Sequence, residues 1–340
     1  MKPLSSIRPR KAFAVGAMAA RHLRAERPLD WIVQSANALL ALGVAVAAPA
    51  LPHAAAFAAG HGLLAVFVWQ LGRGPMSLAR PLTPRALLRH WLPAAFVVLM
   101  YFELGVLVPL LRSYDDFRYD RALQAIDVWL LGDPPLFVAR HASRALSDVL
   151  MLCYFAYYPL ALAVPAALYA RGERAAFERS AAVILMGFLV SYAGYLAWPA
   201  VGPHRLFDLQ RPSVLDGFGF SRLAYEWLRA VPSEPPDAFP SGHALVALLA
   251  VALAWRWRRP LVYVVAPIAG GIVVATVYLR LHYIADVIAA CALAPLCYWL
   301  GCIVTPTRDN DGGSLSSQPS SRPASISRRG HSVCCRVRVG

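Results

Sequence analysis

Apolar residues in this chain come in long uninterrupted runs, with none of the short alternations of a half-buried strand. Eight segments, 31–51, 53–72, 91–111, 147–170, 180–200, 241–256, 260–279 and 282–304, approach the roughly 20 residues an α-helix needs to cross a bilayer. The sixth is short, and the third carries Glu103. The pattern predicts an all-α polytopic transmembrane helix bundle of about eight spans.

Polar residues between the runs alternate in character. Arg73, Arg80, Arg85 and Arg89 follow the second run, Arg171, Arg174 and Arg179 the fourth, and Arg256, Arg258 and Arg259 the sixth. Together with a basic stretch over 1–30, these connectors belong on the cytoplasmic side by the positive-inside rule. The opposite connectors, 112–146, 201–240 and the turn near Arg280, mix arginines with aspartates and face outward. An even number of spans places both termini in the cytoplasm and the outward loops on the periplasmic face of an inner (plasma) membrane. Within 112–146, Leu123, Ile126 and Leu130 recur at helical spacing opposite Asp120, Gln124 and Asp127. This predicts a short amphipathic helix lying at the interface, as a lid or packing element.

Composition sharpens the picture. The 340 residues are 58% hydrophobic and 15% charged, which places the chain in a membrane. The net charge of +14 is nearly all arginine between apolar runs, so it reads as a topology signal and not as a nucleic-acid surface. The six cysteines form neither a disulfide framework nor a zinc spacing. From about Thr307 the chain turns to Ser, Pro, Gly and Arg and is expected to be disordered. Trp31, Trp91, Trp198, Trp255 and Trp257 sit near span ends as interface anchors.

Candidate chemistry gathers at outward helix ends. Gly202-Pro203-His204-Arg205 leaves the fifth span, Pro240-Ser241-Gly242-His243 enters the sixth, and Arg280-Leu281-His282 with Asp286 enters the eighth. His282 and Asp286, at i and i+4, share a face if both are helical, so the carboxylate can fix the imidazole tautomer for nucleophilic attack. Free N–H groups at the start of the sixth helix make a phosphate cradle, with Gly242 allowing close approach. Ser241 is an N-cap or a hydroxyl donor to a phosphoryl oxygen, and His243 a general acid. Arg205 and Arg280 supply the remaining positive charge, unless they only anchor headgroups. A different class stays open: a transporter or structural membrane protein whose histidines relay protons, or in which His243, His282 and Asp286 bind zinc. Glu103 is a functional candidate as an intramembrane carboxylate, or one partner of an interhelical hydrogen bond. His53, His61, His90 and His141 read as interfacial or packing residues.

With these residues in place, the chain resembles the type 2 phosphatidic acid phosphatase superfamily. That superfamily carries Pro-Ser-Gly-His and His-x-x-x-Asp motifs in this order. The resemblance covers about 91–304 and implies a six-helix phosphatase-type core after two additional N-terminal spans. It divides the chain into a basic arm (1–30), two transmembrane helices (31–90), a catalytic domain (91–306) and a tail (307–340). It implies His282 as nucleophile, Asp286 as its orienting partner and His243 as acid, acting on a membrane lipid phosphate ester through a phosphohistidine, with no metal or other cofactor. The superfamily's leading Lys motif is missing, and Thr276 stands where an arginine is expected. His204 precedes Arg211-Pro212 at the family spacing, but Gly202-Pro203-His204-Arg205 and the stretch Asp120 to Pro135 are similar to the branch of inositol phosphorylceramide synthases. That similarity favours Arg205 for phosphate, with Ser241, Gly242 and Arg280. It also adds an alternative to hydrolysis, transfer of the phosphoryl headgroup to an alcohol acceptor such as inositol.

Overall fold

The computed structural model describes residues 27–73, 83–112, 116–132, 141–206, 213–230 and 235–306, and the described chain is helical. In chain order the helices are α1 (Pro28–Ala47), α2 (Ala54–Gly72), α3 (Pro84–Leu111), α4 (Arg118–Leu131), α5 (Arg144–Phe155), α6 (Tyr157–Ala170), α7 (Arg174–Ala197), α8 (Phe220–Ala230), α9 (Gly242–Trp257), α10 (Arg259–Tyr278) and α11 (Ile284–Val304). Single turns at Pro203–Leu206 and Ser213–Asp216 interrupt the loops. The basic arm before Arg27, the tail after Pro306, and Arg211-Pro212 lie outside the described residues.

Helices α1, α2, α3, α7, α10 and α11 are long and apolar enough to cross a membrane. The fourth predicted span is a bent pair, with α5 and α6 meeting at 44°. The sixth, α9, is apolar over only 16 residues. Each predicted span is therefore a helix or helix pair. Leu39, Leu63, Trp69 and Tyr263 stand at least half exposed on the outer faces, as lipid contact requires of a multi-pass membrane protein.

Local chemistry sets the ends. Pro28 and Pro84 occupy first turns, where a missing N–H costs nothing. Thr83 and Ser143 accept from Ala86 N (3.2 Å) and Leu146 N (3.3 Å) as N-caps.

The short helix α9 is the axis of the bundle. It packs against α6, α7, α10 and α11. Ala244, Ala247, Ala250 and Ala254 are all buried on it. Small side chains let helices approach closely where apolar burial provides no drive between them.

Polar ties bind α1 and α2 to the rest. Arg89 meets Asp30 at 2.5 Å, and Arg27 meets Glu178 of α7 at 2.5 Å while donating to Arg89 O at 2.9 Å. His61 Nε2 lies 2.7 Å from Glu103 Oε1, and His61 Nδ1 lies 2.8 Å from Asn37 Oδ1. Glu103 is thus one partner of a hydrogen-bonded chain across α1, α2 and α3. His61 is more than a packing residue.

Helix α4 exists, but its faces are reversed from the expectation. Asp120 and Asp127 are buried, at 0% and 5% exposure, while Ile126, Trp129 and Leu130 are exposed. Leu123, at 2%, is the one member of the predicted apolar stripe that points inward. The aspartates turn in because unpaired backbone N–H groups wait there. The apolar residues turn out.

Candidate active site

The loop before α11 carries the site. His282 and Leu281 both donate their N–H to Thr276 O, at 2.9 and 3.0 Å, which folds the chain back sharply after α10. Arg280 takes a left-handed conformation, φ 61°, inside this turn and is buried. For a non-glycine residue that conformation is uncommon and marks strain held by its surroundings. His282 therefore lies before the helix and not on it, since α11 begins at Ile284 with Tyr283 as N-cap.

Asp286 sits at the third helical position. Its Oδ2 accepts from Tyr283 N at 2.7 Å and lies 3.5 Å from His282 Nδ1. The closer partner of Nδ1 is Ala238 O, at 2.9 Å. A backbone carbonyl accepts only, so it fixes the proton on Nδ1 and leaves the Nε2 lone pair for chemistry. Sequence spacing named the carboxylate, and the carbonyl was not visible in it.

Two aspartates of α4 hold this turn in place. Asp127 accepts from Ile284 N (2.8 Å) and Ala285 N (2.9 Å), capping α11 from a different helix. Asp120 accepts from Val201 N (3.1 Å), Gly202 N (2.8 Å) and the Tyr283 hydroxyl (3.1 Å). It joins the loop that carries Arg205 to the loop that carries His282. Gly202 has φ 91°, and a Cβ there would stand 2.6 Å from Leu281 O. Only glycine fits.

Ser241 caps α9, its Oγ accepting from Ala244 N at 3.3 Å, and its own N–H bonds to Asp286 O at 3.3 Å. Gly242 lies against Tyr195, where a Cβ would meet the hydroxyl at 2.6 Å. The His243 ring stacks on Tyr154 and tilts against Tyr157, both at 4.2 Å between centroids. It faces the His282 ring at 5.6 Å. His243 Nε2 is buried without a hydrogen-bond partner. A buried polar atom left bare is costly, and a ligand atom between the two rings would satisfy it.

Asp237 is a residue that the sequence reading passed over as loop charge. It accepts from the Tyr101 hydroxyl at 2.9 Å and lines the same cavity as His243. Burial pushes its carboxyl above the usual range, against the pull of His282, Tyr101 and Arg205. For His282, burial acts to lower the imidazole value, but Asp286, Asp237 and the Ala238 carbonyl outweigh it, and the net shift is upward. Arg205 itself is exposed on the turn Pro203–Leu206, close enough for its charge to act on Asp237. Among the described residues no three His, Cys, Asp or Glu side chains group to hold a metal ion, so the zinc arrangement of His243, His282 and Asp286 is not formed.

The structure thus brings His243, His282, Asp286, Ser241 and Gly242 around one point, with Arg280 in the adjoining turn. Asp120, Asp127 and Asp237 are additions. The seven-residue spacing of Asp120 and Asp127, two turns apart on one helical face, was the available signal for the first two.

The profile of the PAP2 superfamily matches residues 121–300, beginning within α4 and ending near the end of α11. A PA-phosphatase related-family protein of Dictyostelium discoideum is 29% identical over 125 residues, which is 35% of this chain and 22% of that relative. The matching stretch therefore spans less than a quarter of the relative's length. No solved structure matches. Because the profile covers more than half of the sequence, including His243, His282 and Asp286, the chain belongs to the PAP2 superfamily.

Proposed function

We propose that the protein is a lipid phosphate phosphatase that works through a phosphohistidine on His282. Membership in the superfamily supports phosphatase-type chemistry on lipid phosphates in general. The observation that carries the specific reading is the facing pair: His282 with its Nδ1 held by Ala238 O, and His243 with a bare, buried Nε2 5.6 Å away between ring centroids.

In this reading His282 Nε2 attacks phosphorus and the P–O bond to the lipid breaks. His243 gives its proton to the leaving oxygen. His243 then takes a proton from water, whose oxygen attacks the phosphorus as the N–P bond breaks. Asp286 stabilises the imidazole, Arg205 and Arg280 neutralise the phosphoryl oxygens, and Ser241 and Gly242 present the N-terminus of α9 to them. The side chains proposed for the chemistry need no resident metal or cofactor. The arginine bias of the connectors supports cytoplasmic termini and an outward-facing site. We read a phosphatase-type unit over 91–306, which contains the profile's span of 121–300, with 31–90 as an added helix pair tied to α3 and α7.

One observation favours transfer to an alcohol instead of water. Asp237, with its carboxyl raised and hydrogen-bonded by Tyr101, lines the same cavity as His243, where an acceptor hydroxyl could be deprotonated. The deciding assay is phosphate release from a panel of lipid phosphates in detergent with EDTA, comparing wild type and His282→Ala. Release that the substitution abolishes supports hydrolysis. A folded wild type that releases phosphate only into added alcohols, inositol among them, supports transfer, and none of either removes both readings.

A further inference from the structure

An apolar cavity of about 380 Å³ runs from the site down between α3, α6 and α7. Asp237 and His243 line one end, and His90, Trp91 and Phe177 line the other. From His90 to Phe102 the wall follows α3 for about 18 Å, a little more than one leaflet of a hydrocarbon core roughly 30 Å thick. The cavity is also open sideways. Val98 and Phe102 on α3 and Tyr158 and Leu162 on α6 line it while remaining 39–53% exposed on the outer face of the bundle. Pro93 and Pro165, one in each of these helices, also line it, and a proline removes a hydrogen bond from the helix that carries it.

The far end is closed by rings. His90, Trp91, Tyr169 and Phe177 pack edge-on or tilted at centroid distances of 4.9–5.9 Å, and Phe177 is 1% exposed. Polar groups along the wall are already engaged: the Tyr192 hydroxyl donates to Val97 O at 3.0 Å, and His90 Nδ1 lies 3.3 Å from the Tyr169 hydroxyl. A polar ligand would find little to bond deep in this slot. A hydrocarbon chain loses nothing there.

We propose that the slot between α3 and α6 takes one hydrocarbon chain of the lipid, and that Trp91 and Phe177 at its closed end set the chain length the enzyme prefers. This deepens the lipid-phosphate reading and rests on it. Three observations commit the slot to a substrate chain: it is continuous with His243, it opens among lipid-facing side chains, and its length matches one leaflet. A chain entering sideways would place its phosphate at the two histidines and its methyl end against the aromatic floor.

The test uses full-length protein and a series of single-chain alkyl phosphates from octyl to eicosyl. Ala94→Phe, placed on the wall above the floor, should lower kcat/KM for hexadecyl phosphate about tenfold relative to octyl phosphate, the loss expected from denying burial to roughly two methylenes. Trp91→Ala should move the optimum to longer chains. A second readout is independent of turnover: hexadecyl phosphate with a terminal diazirine should label the segment around Trp91 or Phe177 in His282→Ala. An unchanged chain-length profile in both folded variants, or labelling confined to other segments, overturns the proposal. Labelling at the floor without any phosphate release by wild type upholds the slot and overturns the reaction instead.

Discussion

Asp127 on α4 accepts from Ile284 N at 2.8 Å and Ala285 N at 2.9 Å, so the helix that follows His282 is capped by a side chain more than 150 residues away in sequence. Together with Asp286, which takes Tyr283 N, it satisfies three of the backbone donors at the start of α11.

Asp127→Ala should cost about 1–2 kcal/mol, as the loss of a capping side chain typically does. Asp127→Asn keeps one acceptor and should fall between Ala and wild type. Thermal unfolding in detergent reads the order. Equal stability of all three proteins would show that the cap contributes nothing.

The upward shift at His282 gives a pH dependence. A histidine held above its ordinary value of 6.5 keeps the proton on Nε2 to higher pH, and that form cannot attack. Activity should therefore rise with pH along a limb centred above 6.5. Asp237 is one of the groups that raise His282, so Asp237→Asn should move that limb to lower pH. Substrate ionisation is common to both enzymes and cannot produce the difference. The measurement is kcat/KM against pH for the two proteins with one substrate.

A methyl group at position 242 would stand 2.6 Å from the Tyr195 hydroxyl, close enough to force α9 or α7 to shift. Gly242→Ala should destabilise by about 1–3 kcal/mol, as overpacking does. Tyr195→Phe removes the colliding oxygen and should recover part of that loss. A double-mutant cycle of unfolding free energies should show this coupling, and simple additivity would refute the contact.

Glu103 and His61 lie 2.7 Å apart within the membrane-crossing helices, and neither lines the cavity that holds His243. Glu103→Leu should lower stability by about 0.6–2 kcal/mol, the range for interhelical hydrogen bonds in membranes. Phosphate release per folded molecule should stay at the wild-type level. A selective fall in turnover would show that this triad with Asn37 serves the reaction.

The span pattern was legible because length and apolarity alone select membrane helices. The motifs at His243 and His282 were legible because both lie beside helix starts. The orientation of α4 was not. Amphipathic reading sends carboxylates toward water, yet Asp120 and Asp127 found backbone N–H groups inside, and Trp129 was left facing outward at 83% exposure. Nor was the role of Ala238 visible, since a backbone carbonyl leaves no mark in side-chain spacing. Asp237 lay three residues before Pro240 with nothing to separate it from the other loop aspartates until Tyr101, far upstream, folded against it.

The axial helix α9 has 16 residues, so it measures about 24 Å, some 6 Å less than a hydrocarbon layer roughly 30 Å thick. With Arg256 and Arg258 holding its other end at the surface, its first turn falls short of the opposite boundary. In the proposed reaction this would set the chemistry at a depth, with His243 below the headgroup plane. A phosphate ester dissolved in water must give up its hydration to descend that far, whereas one already tethered to the bilayer needs only to tilt its headgroup inward. On the lipid-phosphate reading, the brevity of one helix would sort substrates by how they are moored before any contact reads their chemical identity.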